Sequence, residues 1–108
     1  MLNNELQLVY KEIVDLYEYG NLLYRVGDTV ELAKTLHQIR VLEDRFKDHK
    51  FADRDLYKLM QEFEYLYYRN IEGMVYAEIP IHMYVALDTV HRIRKRVKAR
   101  YEEIVANA

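Results

Sequence analysis

Apolar residues recur every seven positions along the first quarter of the chain, and a second set fills the complementary spacing. The two sets together are Leu2, Leu6, Val9, Ile13, Leu16 and Leu23. This spacing places them on one face of an α-helix, so it predicts a helix over residues 2–26. A parallel stripe of Tyr10, Tyr17 and Tyr24 is expected at the core edge, with hydroxyls that reach solvent. Gly20 marks either a kink or the close approach of another helix.

Local signals define the next two helices. Gly27 suits the left-handed conformation that ends a helix, and Asp28 suits the cap of the following one. The apolar spacing then predicts helix two over residues 29–47 and helix three over residues 54–77. We expect Asp53 to cap helix three.

Helix three carries polar residues around its apolar seam. Asn70 falls on the seam itself, where a polar residue often fixes register or oligomeric state. An acidic and aromatic group is expected on the helix surface, or in a patch that binds protein, and consists of Glu62, Glu64, Tyr65, Tyr68 and Arg69.

The apolar pattern changes phase within the last quarter of the chain. One clear arc from residue 90 onward consists of Val90, Ile93, Val97, Tyr101 and Ile104. Before it the phase fails, so that Ile81, Tyr84 and Val85 would point towards the opposite side of a continuous helix. Two interpretations remain open: these residues are buried against a second chain, or the helix breaks near Ala86–Asp88.

These elements define the expected fold class. With three glycines and one proline in 108 residues, turn signals are scarce, so the helices should be few and long. The single proline, Pro80, suits the first turn of a fourth helix, where its missing N–H needs no partner. Short connections favour antiparallel neighbours. We therefore expect one all-α domain over residues 1–108: a four-helix up-down antiparallel bundle whose C-terminal helix is basic.

Composition excludes several chemistries. The chain has no cysteine and no serine, which excludes disulfides, thiolate metal sites and the two commonest side-chain nucleophiles. None of the four histidines has the paired Glu-x-x-His arrangement of a helical metal site. We expect no catalytic residue, no cofactor, no metal, no small-molecule substrate and no enzymatic activity. No apolar run is long enough for a membrane span, and we expect a cytoplasmic protein.

The charges are unevenly distributed along the chain. Residues 1–80 hold 10 Lys and Arg against 15 Asp and Glu, whereas residues 81–108 hold 6 against 3. The formal net charge is −2. This asymmetry indicates either that the basic segment packs on acidic helices or that it contacts nucleic acid or an acidic protein.

Residues 83–93 locally resemble the turn and recognition helix of helix-turn-helix DNA-binding regulators. The segment reads MYVALDTVHRI, and the usual pattern is Leu-Gly-Val-Ser-x-x-Thr-Val-x-Arg-Ile. It departs at Tyr84, where the turn has glycine, and at Pro80, where close packing favours alanine. The resemblance implies a DNA-binding unit at 79–101 in which Asp88 or Thr89 caps the second helix. With the neighbouring basic positions, the implied nucleic-acid residues are Thr89, Arg92, Arg94, Lys95, Arg96 and Lys98.

Two functions are consistent with these patterns. The first is a non-enzymatic regulatory or interaction protein that acts through protein contacts and self-association, since apolar and tyrosine positions exceed what one buried face per helix needs. Its candidate interface residues are Ile81, Tyr84, Val85, Tyr65, Tyr68 and Asn70. The alternative is a DNA-binding transcriptional regulator. A third, an inhibitor whose acidic helices imitate nucleic acid, has no residue that selects its target. A turn between Pro80 and Ala99 would favour DNA binding, whereas one continuous helix would favour protein contacts.

Overall fold

The computed structural model describes residues 2–107, which form five α-helices and one π-helical segment. In chain order these are α1 (Asn4–Val26), α2 (Thr29–Asp48), α3 (Asp53–Leu66), the π segment (Tyr67–Ile71), α4 (Ile79–Met83) and α5 (Leu87–Ala106). The all-α class is confirmed, and the described residues contain no β-strand.

Local signals predicted one helix start correctly and one incorrectly. Gly27 has a φ of 76° and ends α1, and Oδ1 of Asp28 accepts the N–H of Glu31 at 3.1 Å to cap α2. The boundary between the first two helices is therefore confirmed. Asp53, by contrast, is the first residue of α3. Ala52 occupies the cap position without a side-chain hydrogen bond, so the predicted cap was wrong.

α1 approaches the π segment closely at Gly20. Gly20 is buried, and a Cβ built on it would lie 2.5 Å from Cδ1 of Ile71. A side chain at this position would force the Ile71 side chain to move, because real Cβ contacts are essentially never this short. Of the two interpretations of this glycine, the structure therefore supports the close approach.

Helix three ends earlier than the predicted Ala77, and the cause is tertiary. The helix widens into the π segment, and the chain then leaves it through Gly73, whose φ is 66°. A Cβ on Gly73 would lie 2.5 Å from ring atoms of Tyr24 on α1. Glycine supplies both the left-handed backbone and the space for that ring.

The chain turns between α4 and α5, at Tyr84–Ala86, close to Ala86–Asp88, where one of the two interpretations of the phase change placed a break. Tyr84 has φ 57° and ψ 43°, and it is the one non-glycine residue with positive φ in the described chain. The N–H of Val85 donates to the carbonyl oxygen of Pro80 at 3.1 Å, which closes the turn. Pro80 lies in the first turn of α4, as predicted.

The start of α5 differs from the expectation drawn from helix-turn-helix proteins. Neither Asp88 nor Thr89 caps the helix. Ala86 occupies the cap position in an extended conformation and makes no side-chain hydrogen bond. The N–H of Thr89 instead donates to the backbone carbonyl of Ala86 at 3.0 Å. The implied side-chain cap was therefore wrong.

α1 lies at the centre of the molecule and packs against α2, the π segment and α5, while α3 packs against α5. Its largest fully buried side chains are Tyr10, Ile13 and Tyr17, and they meet Phe46 of α2 and Ile93 of α5 in one core. A four-helix up-down bundle is not confirmed, because α3 ends in the π segment and a five-residue helix separates it from α5.

Candidate nucleic-acid interface

α5 presents a basic face to solvent, opposite its core contacts. Val90, Ile93 and Val97 are buried, and the helical spacing turns a second set of residues outward. This exposed set consists of Asp88, His91, Arg92, Lys95 and Lys98. All but the last line one shallow surface depression. Three of the predicted nucleic-acid residues therefore share one outward face.

The remaining predicted nucleic-acid residues lie in other environments. Thr89 is half-buried at the start of α5, and Arg94 and Arg96 are each held by another side chain. By contrast, no ion pair joins a carboxylate of the described chain to Arg92, Lys95 or Lys98. The ion pairs of the described chain are Lys11–Asp15, Arg40–Glu43, Lys47–Asp44, Arg54–Asp55, Arg96–Glu62 and Arg100–Glu62. The basic run thus divides into free and structural cations.

Two arginines hold α5 against α3 through a buried carboxylate. Glu62 of α3 is fully buried, and its oxygens lie 3.1 Å from Nε of Arg96 and 3.0 Å from Nε of Arg100. The hydroxyl of Tyr10 donates to the same carboxylate at 2.7 Å. A buried carboxylate requires such compensation, since its desolvation alone is very unfavourable. The prediction that Glu62 lies on the helix surface was wrong.

The electrostatics of this cluster keep Tyr10 and Arg100 in the protonation states that their hydrogen bonds need. Burial, and then the charge of Glu62, raise the pKa of Tyr10 well above its ordinary value, so this hydroxyl stays a donor. Burial acts to lower the pKa of Arg100. The hydrogen bond and charge of Glu62 outweigh that effect and raise this pKa above its ordinary value. The pairing therefore fixes how α5 is rotated against the core.

The tyrosine stripe of α1 follows the same arrangement and corrects another prediction. Tyr17 is fully buried, and its hydroxyl donates to Glu43 at 2.6 Å, while Arg40 donates to the other oxygen of Glu43 at 2.8 Å. Tyr10 is buried in the same way. The expected solvent-facing hydroxyls are absent at these two positions, and Tyr24, 47% exposed, is the outermost ring of the stripe.

Three basic side chains surround the ring of Tyr76, which lies in the irregular chain after the π segment. The Cζ atoms of Arg69 and Arg94 each lie 5.3 Å from the ring centroid, and the imidazole of His91 stacks at 5.6 Å. The hydroxyl of Tyr76 lies 2.8 Å from that of Tyr65. The sequence reasoning missed this cluster, because no periodicity relates an irregular segment to positions on α5.

The predicted protein-interface residues do not share one surface. Ile81 and Tyr84 are 74% and 92% exposed beside the turn. Val85 is half-buried and packs against the core, and the half-buried Tyr68 ring lies 5.5 Å from the ring of His82. Ile81 and Tyr84 are therefore accessible beside the turn, as is Leu87 at the start of α5, which is 45% exposed.

The other two interface candidates have roles within the fold. Tyr65 is 5% exposed and packs in the core, with its hydroxyl on Tyr76. The half-buried Asn70 donates from Nδ2 to the carbonyl oxygen of Leu66 at 3.0 Å, so its amide makes a hydrogen bond one turn back along the same stretch of helix. The structure places these two residues away from Ile81 and Tyr84.

The described residues contain neither a metal-binding cluster nor a membrane-spanning helix. Within residues 2–107, no cluster of three or more His, Asp or Glu side chains could hold a metal ion. Each described helix is too short or too polar to cross a lipid bilayer. Comparison of the chain with protein-family models, curated proteins and solved structures finds no match.

Proposed function

We propose that the protein binds double-stranded DNA, with α5 as the helix that enters the major groove. The observation that carries this proposal is the turn at Tyr84–Ala86, which separates a short helix from a long basic one. Helix-turn-helix proteins use this order, and their second helix lies in the groove. The free cations Arg92, Lys95 and Lys98 extend from the exposed face of that second helix.

The dimensions and side chains of α5 suit this role. Its 20 residues span about 30 Å, and the major groove, about 12 Å wide, admits one α-helix. Arg92 lies in the second turn, where a guanidinium can donate to both acceptors of a guanine edge. Asp88, one turn earlier, can accept from the amino group of cytosine. Lys95 and Lys98 are suited to phosphates.

The ion pairs of α5 limit how many cations reach the DNA. Arg96 and Arg100 are committed to Glu62 and neutralise charge inside the protein. They also hold α5 in a fixed rotation, so the outward face is preorganised for binding. The cations that remain on the outward face of α5 are Arg92, Lys95 and Lys98. The proposal therefore uses fewer charges than the basic run contains.

Fluorescence anisotropy with a labelled random-sequence duplex tests the proposal. On a random sequence, three cations at phosphates predict that log affinity falls with log salt concentration at a slope of about −3. Arg92→Gln and Lys95→Gln should each weaken binding, and each loss of a phosphate contact should reduce the slope by about one.

Arg45→Gln is the matched control, because Arg45 is exposed on α2 and should leave the affinity unchanged. Absence of binding at low salt would contradict DNA binding. Equal losses in the α2 and α5 variants would contradict the use of α5.

A protein contact at the turn is the second candidate function, favoured by the exposure of Ile81, Tyr84 and Leu87. Large apolar groups exposed together often mark interaction sites. A partner protein or a second copy covering this surface would give the regulatory role and the self-association that the sequence suggested. The same titration separates the two functions, because a protein that acts only through this surface has no affinity for the duplex.

A further inference from the structure

A groove of about 350 Å³ lies between α1, the end of α3 with its π segment, and α5. Its apolar lining includes Val14, Leu66 and Val97, one from each of the three helices. This volume is far larger than a water molecule needs and reaches the range of small-molecule sites. The groove is distinct from the outward face of α5, and only Lys98 belongs to both.

One end of the groove carries two guanidinium groups without a carboxylate partner. Arg69 and Arg94 line this end, and both lie over the ring of Tyr76, which restricts their motion. Arg69 spends one donor on the carbonyl oxygen of Met74 at 2.9 Å. Arg94 makes no hydrogen bond to any described side chain or backbone group, so its donors face the groove and solvent unused.

The charge lining the groove changes sign along α5. Arg94, Lys98 and Glu102 follow one another at intervals of four residues, which separates neighbours by about 6 Å along the helix axis. Glu18 of α1 lines the groove as well. A negative group is therefore favoured beside Arg94 and Arg69 and is disfavoured beside Glu102, so the groove orients what it binds.

We infer that this groove binds a small amphipathic anion. Its acidic group accepts hydrogen bonds from Arg94 and Arg69, and its apolar body lies on Val14, Leu66 and Val97. An inorganic anion alone would leave this apolar surface uncovered, and a neutral hydrocarbon would leave the guanidinium donors unused. The inference rests on the groove and holds whether or not α5 binds DNA.

A pair of dyes tests both halves of this recognition. The probe is anilinonaphthalene sulfonate, an anion on an apolar ring system, and its neutral counterpart is phenylnaphthylamine. We expect saturable binding of one anion per chain and at least about tenfold weaker binding of the neutral dye, the loss expected for a charge-assisted hydrogen bond. Arg94→Gln should weaken binding of the anionic dye by a similar factor. Arg92→Gln, an equal change of charge outside the groove, should leave that binding unchanged.

Two-dimensional amide spectra locate the probe and exclude a folding artefact. Shifts on adding the anion should centre on Leu66, Asn70 and Val97, and the Arg94→Gln spectrum without probe should match that of the native protein. Shifts centred elsewhere would overturn the inference. So would equal effects of the two arginine variants, equal affinity for both dyes, or no binding at millimolar probe.

Discussion

At the scale of single residues, the environment of Glu62 differs most from the one that its local sequence predicts. A glutamate beside Phe63 on an amphipathic helix normally indicates the solvent-facing side. Here it is fully buried, and its arginine partners stand 34 and 38 residues later in the chain. Such distant partners leave no periodic signal. Burial of this carboxylate, like the burial of Tyr10 beneath it, could not be predicted from helical spacing alone.

Glu62→Gln tests how strongly this cluster depends on its charge. The amide keeps the size of the side chain but leaves Arg96 and Arg100 without a buried counter-charge. Removing one partner of a buried ion pair leaves the other charge buried without compensation. We therefore expect urea unfolding to show that the free energy of unfolding falls by about 3 kcal/mol. Glu64→Gln, on the exposed neighbouring position, should change it by less than about 0.5 kcal/mol. Similar losses in both variants would mean that the charge of Glu62 contributes little.

At the scale of elements, what could be predicted depended on how local the cause was. The boundary at Gly27 and Asp28 was predictable because both residues act on their own helix ends. The failure of phase before Val90 left a break as one of two interpretations, and the turn between α4 and α5 agrees with that one. The end of α3 was not predictable, because it depends on a contact with a distant helix: Gly73, which has no Cβ, leaves space for the ring of Tyr24 on α1.

Tyr84→Gly tests the strain in the turn between α4 and α5. The left-handed conformation costs a residue with a Cβ about 1 kcal/mol, and glycine avoids this cost. Because Tyr84 is 92% exposed, its ring contributes little packing, and we expect urea unfolding to show a gain of about 1 kcal/mol. Tyr84→Ala keeps the Cβ and should show no gain. A destabilised glycine variant, or equal gains in both, would show that backbone strain is not the cause.

At the scale of the whole molecule, the uneven charge of the chain is explained only in part by internal pairing. Arg96 and Arg100 satisfy Glu62, as expected for a basic helix that packs on an acidic one. The other cations of α5 have no such partner in the described chain and create a positive surface on a protein of net negative charge. Both proposed binding sites use this surplus: the outward face through Arg92 and the groove through Arg94.

The buried tyrosines should make the stability of the whole molecule fall in alkaline solution. Burial, as the largest cause, raises the pKa values of Tyr10, Tyr17 and Tyr65 well above the ordinary value. In the unfolded chain these groups ionise near pH 10, about the ordinary value, while the folded protein keeps them protonated. The stabilisation is thus complete below about pH 10 and is lost as the pH rises above it.

Each of these tyrosines should lower the free energy of unfolding by about 1.4 kcal/mol per pH unit in that range. Urea unfolding between about pH 9 and about pH 12 measures this slope, because that pH range brackets the ordinary ionisation of tyrosine. Tyr17→Phe lowers stability at every pH because Glu43 loses a donor, but it should also make the alkaline slope shallower by one tyrosine's share. Tyr57→Phe, at a 63% exposed position, should leave the slope unchanged. If both variants keep the native slope, Tyr17 ionises as readily in the folded protein as in the unfolded chain.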